Sequence, residues 1–235
     1  MAKLTAQNLM KTLNSHGNKR DAVFLQRFFK TGPGQYSEGD IFIGLRVPIT
    51  RLLIKGYEFL ELSEIQKLLS SKIHEHRLAA LLILVKKFSG ADEALRKKIY
   101  ELYLKNSKNI NNWDLVDSSA EHIVGGYLAD KSKAILKKLA KSKLLWERRI
   151  AVLATFHYIK KGRAQENFVI AQMLLKDEHD LIHKAVGWML REIGKRCSRP
   201  MEETFLKKHY KMMPRTMLRY AIEHFPADLK KFYMN

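Results

Sequence analysis

His76-Arg77-Leu78-Ala79-Ala80-Leu81 returns in altered form as Arg148-Arg149-Ile150-Ala151-Val152-Leu153, as His183-Lys184-Ala185-Val186-Gly187-Trp188 and as Arg219-Tyr220-Ala221-Ile222. Each copy sets a small core-type residue behind a basic or polar one. With Ala79, Ala151, Ala185 and Ala221 as anchors, the steps are 72, 34 and 36 residues, the first close to two periods. Asp117 stands where the missing copy falls, 38 residues after Ala79 and 34 before Ala151. A period in the mid-thirties with two helices per unit marks an α-solenoid, in which each repeat buries its apolar face only by stacking on its neighbours. An irregular helical bundle also fits, because the copies share few residues.

Outward from these copies, apolar residues keep helical spacing almost everywhere, as in Leu78, Leu81, Leu82 and Val85, and strict alternation of useful length is absent. An all-α chain is expected. Breakers at Ser89-Gly90, Asn109 to Asn112 and Lys161-Gly162, and before Pro200 and Pro214, punctuate it into roughly a dozen helices joined by short turns. The longest breaker-rich stretch, residues 32–40, is too short for a flexible linker. With 46% hydrophobic residues over 235 positions, residues 1–235 are expected to form one domain around its own core.

Lys and Arg outnumber Asp and Glu by 43 to 24, a formal net charge of +19. Such charge is self-repelling unless a polyanion offsets it, so nucleic acid leads the partners. No apolar run approaches the ~20 residues of a membrane span, and the basic residues are spread over many segments, so no membrane partner is expected. The single cysteine, Cys197, allows no intrachain disulfide and fits a reducing compartment. The N-terminus lacks the uninterrupted apolar region of a secretory signal, and Leu4, Met10 and Leu13 read as the stripe of a first helix. A cytoplasmic location is expected, with association to the nucleoid through DNA.

Asn111-Asn112-Trp113-Asp114-Leu115-Val116-Asp117-Ser118 should open a helix capped by Asn111 or Asn112, with Trp113 and Asp117 one turn apart on one face and Leu115 and Val116 turned elsewhere. Gly187-Trp188-Met189-Leu190-Arg191 puts Trp188 and Arg191 on one face and lets another element approach at Gly187. Between them lies Trp146-Glu147-Arg148-Arg149. Taken singly, a helical Trp is ordinarily core and an early Asp ordinarily a cap. Core packing, however, has no use for Asp117 one turn from Trp113.

Other signals lead nowhere chemical. His179 and His183 have metal-ligand spacing but no third ligand, so no metal is expected. His74-Glu75-His76 reads as a solvated helix start. Gly-rich phosphate loops, Gly-x-Ser-x-Gly and Cys clusters are missing, which leaves nucleotide hydrolysis, serine catalysis and iron–sulfur chemistry without residues; no cofactor is expected. The lysines from Lys131 to Lys143 form solubilising faces whose excess favours DNA.

Asn112-Trp113-Asp114-Leu115-Val116-Asp117, Trp146-Glu147-Arg148-Arg149-Ile150-Ala151 and Lys184-Ala185-Val186-Gly187-Trp188-Met189-Leu190-Arg191-Glu192 resemble the hallmark motifs of AlkD-type DNA alkylation-repair glycosylases. The likeness extends to Phe42-Ile43-Gly44-Leu45-Arg46-Val47-Pro48 and to Pro214-Arg215-Thr216-Met217-Leu218-Arg219-Tyr220-Ala221. The resemblance implies a C-shaped α-α superhelix of HEAT-like repeats whose basic concave face clamps double-stranded DNA containing alkylated bases, as a monomer. It implies Asp117 as catalytic carboxylate, Trp113 and Trp188 as the aromatic cleft at the lesion, and Arg149 and Arg191 as contacts to the DNA backbone, with Arg148 and Lys184 beside them. Phe28 stands where relatives can carry a Tyr, keeping the ring and losing the hydroxyl.

The roles make chemical sense. Alkylation at N3 of adenine or N7 of guanine makes the base cationic, so it leaves neutral and needs no general acid. Positive charge grows on the deoxyribose in an oxocarbenium-like transition state, of the kind carboxylates stabilise. Asp117 would balance it and orient or deprotonate the water, and indole faces attract cations by roughly 0.5–2 kcal/mol. The expected function is a monofunctional DNA glycosylase of base excision repair. The alternative is a non-catalytic repeat protein binding distorted or branched DNA; a scaffold for acidic proteins leaves Asp117 and the tryptophans unexplained.

Overall fold

In a computed structural model that describes residues 4–235, the described residues form helices joined by turns and loops, the longest helix-free stretch being residues 29–46. Among the described residues there is no strand, only one isolated bridge between Ile41 and Ile73. The first three residues of the N-terminal stretch read against secretion lie outside the described ones. The chain divides into two compact units, one ending at Ser119 and one beginning at Ala120.

The first unit holds α1 (Ala6–Ser15), α2 (Lys19–Phe28), α3 (Val47–Leu53), α4 (Leu62–Leu69), α5 (His74–Ser89), α6 (Glu93–Lys105) and α7 (Trp113–Asp117). Short polar side chains open several of these helices. The Thr5 hydroxyl, the Asn18 amide oxygen and the Asp92 carboxylate accept first-turn N–H groups that have no intrahelical partner. The stripe of α1, Leu9 and Leu13, is fully buried, and each such leucine contributes about 1.5–3 kcal/mol. Gly44, at φ 80°, packs on α2: an added Cβ would lie 2.6 Å from the Ala22 nitrogen, so only glycine fits both the dihedral and the gap.

At the centre is α5, whose residues 74–84 are all buried. The expected solvated start at His74-Glu75-His76 is overturned: these residues are 1%, 1% and 2% exposed. A helix apolar on every side sits inside, so its polar first turn goes inside too and must be paired there. The Glu75 carboxylate accepts the N–H groups of Ile43, Gly44 and Leu45 at 2.9–3.1 Å. Ser71 Oγ donates to His76 Nδ1 at 2.9 Å, and His76 Nε2 donates to Asn14 Oδ1 at 2.9 Å. Arg77 bonds Asp40, the Ser71 carbonyl at 2.9 Å and Asn111 Oδ1 at 3.0 Å.

The second unit begins with a π-helical turn, Glu121–Gly125, followed by α8 (Ala134–Ala140), α9 (Leu145–Ala154), α10 (Phe156–Ile159), α11 (Gln165–Met173), α12 (Asp180–Arg196), α13 (Arg199–His209), α14 (Arg215–Ala221) and α15 (Ala227–Met234). Two glycines admit close crossings. A Cβ on Gly125 would meet His157 Cβ at 2.7 Å, and one on Gly187 would meet Tyr220 Cβ at 2.6 Å. The sequence expected the second approach.

The repeat has a hydrogen-bonding signature. Ser71, Ser142 and Asp177 each sit three residues ahead of a helix start, at His74, Leu145 and Asp180. Each accepts through its side chain the N–H two residues on, from Ile73, Leu144 and His179. Each also accepts through its carbonyl a side chain six residues on, from Arg77, Arg148 and His183. This registers Arg77 with Arg148 and Ala79 with Ile150, one residue from the sequence alignment on Ala151. Similar small apolar residues on both sides of the true anchor made the slip. The architecture is that of an α-solenoid of HEAT-like helical repeats.

Candidate functional site

Asn112 fixes the start of α7. It is fully buried, its Oδ1 accepts the Trp113 N–H at 2.8 Å, and its Nδ2 donates to Ser37 Oγ at 2.5 Å. Of the two candidate caps, Asn112 is therefore the cap. Leu115 and Val116 are fully buried, while Trp113 and Asp117 are half-buried one turn apart. The helix thus gives its apolar side to the core and keeps an indole and a carboxylate partly open to solvent. Burial holds the Tyr103 phenol well above its usual range, and the nearby Asp117 carboxylate adds to the effect.

Trp113 is braced by rings. Phe29 stacks on it with centroids 5.1 Å apart, and Phe28 meets it edge-on at 6.0 Å. Phe29 stacks in turn on Phe42 at 5.0 Å, and Phe42 on the His74 imidazole at 4.3 Å. The structure therefore brings Phe28 to Trp113 and adds the buried Phe29, which sequence reasoning missed. Phe24, Phe28, Phe42 and Trp113 line an open cleft of about 380 Å³, with the Asp21–Arg46 ion pair and the His74–Asp114 pair among its polar lining.

The polar lining rests on buried charge. His74 donates to Asp40 at 3.1 Å and to Asp114 at 2.8 Å. Burial alone would lower its pKa, but the Asp114 and Asp40 carboxylates overcome it and push it up to about 9. Burial likewise works against ionised Asp40, and His74 and Arg77 outweigh it, holding that carboxyl below its usual range. A readable signal existed: four polar residues, His74 to Arg77, lead directly into eight apolar ones, Leu78 to Val85, so this end of the helix points inside and its polar groups had to be paired there.

In the second unit, Trp188 is half-buried against Phe156, centroids 5.9 Å apart. Arg148 donates to Asp177 at 2.6 Å and to the Ser142 and Lys143 carbonyls at 3.1 Å. Arg149 is 4% exposed and donates to the Leu181 carbonyl at 2.5 Å. Both arginines tie α9 to the segment that opens α12. Arg191 pairs with Glu223, and Lys184 with Asp180 at 2.7 Å, in partly exposed positions. His179 and His183 are engaged in the helix start through Leu181 N–H and the Asp177 carbonyl. Among the described residues no group of three or more His, Cys, Asp or Glu could hold a metal ion, and no helix is long and apolar enough to cross a membrane.

A family profile described as "DNA alkylation repair enzyme" matches residues 9–225. Among solved structures, the chain is similar to one titled "Predicted DNA alkylation repair enzyme from Enterococcus faecalis", with TM-score 0.70 and 16% identity over 90% of this chain and 97% of that one. At that identity the likeness is one of fold. No curated protein matches.

Proposed function

The chain belongs to the DNA alkylation repair enzyme family, which sets it in DNA repair, and from that premise we propose that it is a monofunctional glycosylase hydrolysing the N-glycosidic bond of cationic N3-alkyladenine and N7-alkylguanine in duplex DNA. The observation that carries the reading is the split of α7. Its core side is sealed by Leu115 and Val116, while Trp113 and Asp117 share the half-open side.

Asp117 is the catalytic carboxylate. Its negative charge balances the oxocarbenium character that develops on the deoxyribose, and it orients or deprotonates the attacking water. The cationic base departs neutral, so no second carboxylate is required as acid. Trp113 and Trp188 offer indole faces to cationic lesion and sugar, and Phe28 adds a ring without a hydroxyl. Phosphate contacts fall first to Lys184 and Arg191, whose partners Asp180 and Glu223 are 55% and 53% exposed and exchange readily for a phosphate. Arg148 and Arg149 stand behind them. The protein acts as a monomer, residues 1–235 working as one domain.

The test is release of 7-methylguanine from methylated duplex DNA. Wild type is expected to release it, and Asp117→Asn to lose release while keeping DNA affinity. Full release by the variant would remove Asp117 from the mechanism, and no release by wild type would leave only DNA binding.

A further inference from the structure

We propose that the uncovered side of α11 is a docking surface for an acidic protein segment that carries apolar anchors. The proposal does not depend on the chemistry assigned to α7, and none of the residues assigned there or to DNA lines this surface.

Phe168 to Ala171 are four consecutive apolar residues in the middle of α11, and on a helix they sweep about 300° of the circumference. A surface helix keeps one apolar stripe and turns polar side chains to water, whereas a helix apolar on every side is covered on every side. α5 obeys this rule and α11 does not. Asn167, Ile170 and Ala171 are buried where α11 packs on α8, α9 and α12. Phe168, Val169 and Met173 are left half-buried.

Two hollows flank Val169, which together with Gln165 lines both. The hollow between α8 and α11, about 200 Å³, has Leu136, Val169 and Ile170 as its apolar wall. The hollow between α11 and α13, about 440 Å³, is lined by the Phe168 and Phe205 rings, stacked within 9° at 5.0 Å, and by Met201, which is 41% exposed. The smaller has room for an aliphatic side chain and the larger for an aromatic one. Anchors that fill such hollows carry most of the energy of a protein interface.

Charge selects the partner. Lys133 and Lys137 stand at the smaller hollow and Lys208 at the larger. The one acid lining either, Glu166, is already bonded to Arg163. Apolar hollows with a cationic edge are complementary to carboxylates set beside apolar side chains. The exposed amides of Gln165 and Gln172 offer donors and acceptors to the partner's backbone. Duplex DNA would leave the hollows empty, since phosphates seek a row of cations and not an apolar wall. A lipid surface is too flat to enter them.

The test is fluorescence anisotropy of the full chain with a labelled glutamate-rich peptide carrying one tryptophan and one leucine. The same peptide with both replaced by serine, a labelled duplex and phosphatidylserine vesicles are the other arms. Wild type is expected to bind the anchored peptide about tenfold more tightly than the serine peptide. Val169→Asp and Met201→Glu are each expected to lose most of that preference, with duplex affinity held within about twofold. Lys208→Glu is expected to weaken both peptides. Thermal melts check the fold, and Met201→Glu decides if Val169→Asp melts early, because an exposed methionine does little to support the core. Equal affinity of wild type for the two peptides, a preference that survives Met201→Glu, or peptide binding untouched by Lys208→Glu would each overturn the docking surface. So would loss of duplex or vesicle binding in Met201→Glu with peptide binding unchanged. Failure of wild type to bind duplex would sink the DNA reading, a separate result that leaves the peptide arms standing.

Discussion

His74 Nε2 donates to Asp114 Oδ2 across 2.8 Å, joining the first turn of the central helix α5 to the first turn of α7. Asp114 stands next to Trp113 and one turn before Ser118, so the link constrains the helix that carries the candidate carboxylate. Asp40 takes the other ring nitrogen, and Arg77 takes both Asp40 and Asn111. A buried charge network of this kind is costly to assemble and costlier to leave incomplete.

Stability is therefore expected to decline in alkali. His74 is raised to about 9 from the ordinary histidine range, so the folded state holds this proton more tightly than the unfolded one. The stabilisation is complete below about pH 6.5 and is lost as pH rises through 9. Denaturant unfolding of wild type and His74→Gln from pH 6 to 10 checks this. The variant is expected to be less stable by about 3–5 kcal/mol at pH 6, with the gap closing toward pH 10. A gap that stays constant across the range would show that the charge on His74 contributes nothing.

Arg148 and Lys184 are expected to fail in opposite ways. Arg148 is paired with an Asp177 that is 6% exposed, so Arg148→Ala strands a buried carboxylate and should cost about 3 kcal/mol of stability. Lys184 pairs with an exposed Asp180, so Lys184→Ala should leave stability nearly unchanged. It should lower DNA affinity and reduce the slope of log affinity against log salt by about 1. Urea unfolding and salt-titrated DNA binding on both variants separate the roles; identical behaviour of the two would refute the assignment.

Much of this was legible in the sequence. The helical class followed from spacing, the cap at Asn112 and the split of α7 from local periodicity, and the crossing at Gly187 from the absence of a Cβ. Other features required the third dimension. His74, Glu75 and His76 read as solvated because a polar triplet at a helix start is ordinarily surface; the apolar run behind them pointed inside, and the packing around α5 shows what pairs them there. Phe29 was passed over because the resemblance points to Phe28; both rings meet Trp113, one stacked and one edge-on, which spacing along the chain does not show. Arg148 and Arg149, read as DNA contacts, also have intramolecular acceptors 29 and 32 residues away, which spacing along the chain does not show.

Gly187→Ala is expected to destabilise. The added methyl would fall within the contact radius of the Met217 carbonyl oxygen and 2.6 Å from Tyr220 Cβ. Both are fixed parts of α14, so α12 and α14 must separate, at a cost of about 1–3 kcal/mol. Gly90→Ala is the control, since nothing lies within 4 Å of its Cβ position. Equal unfolding midpoints for the two variants would mean that the crossing is loose.

Glu202 is the clearest place where a substitution should stabilise. It is 1% exposed, one carboxylate oxygen has no hydrogen-bond partner, and Arg199 is 3.9 Å from the other. Burial pushes its pKa up to about 8, against the opposing pull of Arg199. The folded state thus favours the neutral acid, and the associated stability is full below about pH 4.3 and lost as pH rises through 8. Glu202→Gln keeps the shape and removes the charge that appears at high pH. Its melting temperature is expected to exceed that of wild type at pH 9 and to converge on it near pH 5. A variant that melts lower than wild type at pH 9 would mean that ionised Glu202 is accommodated, with Arg199 as its true counter-ion.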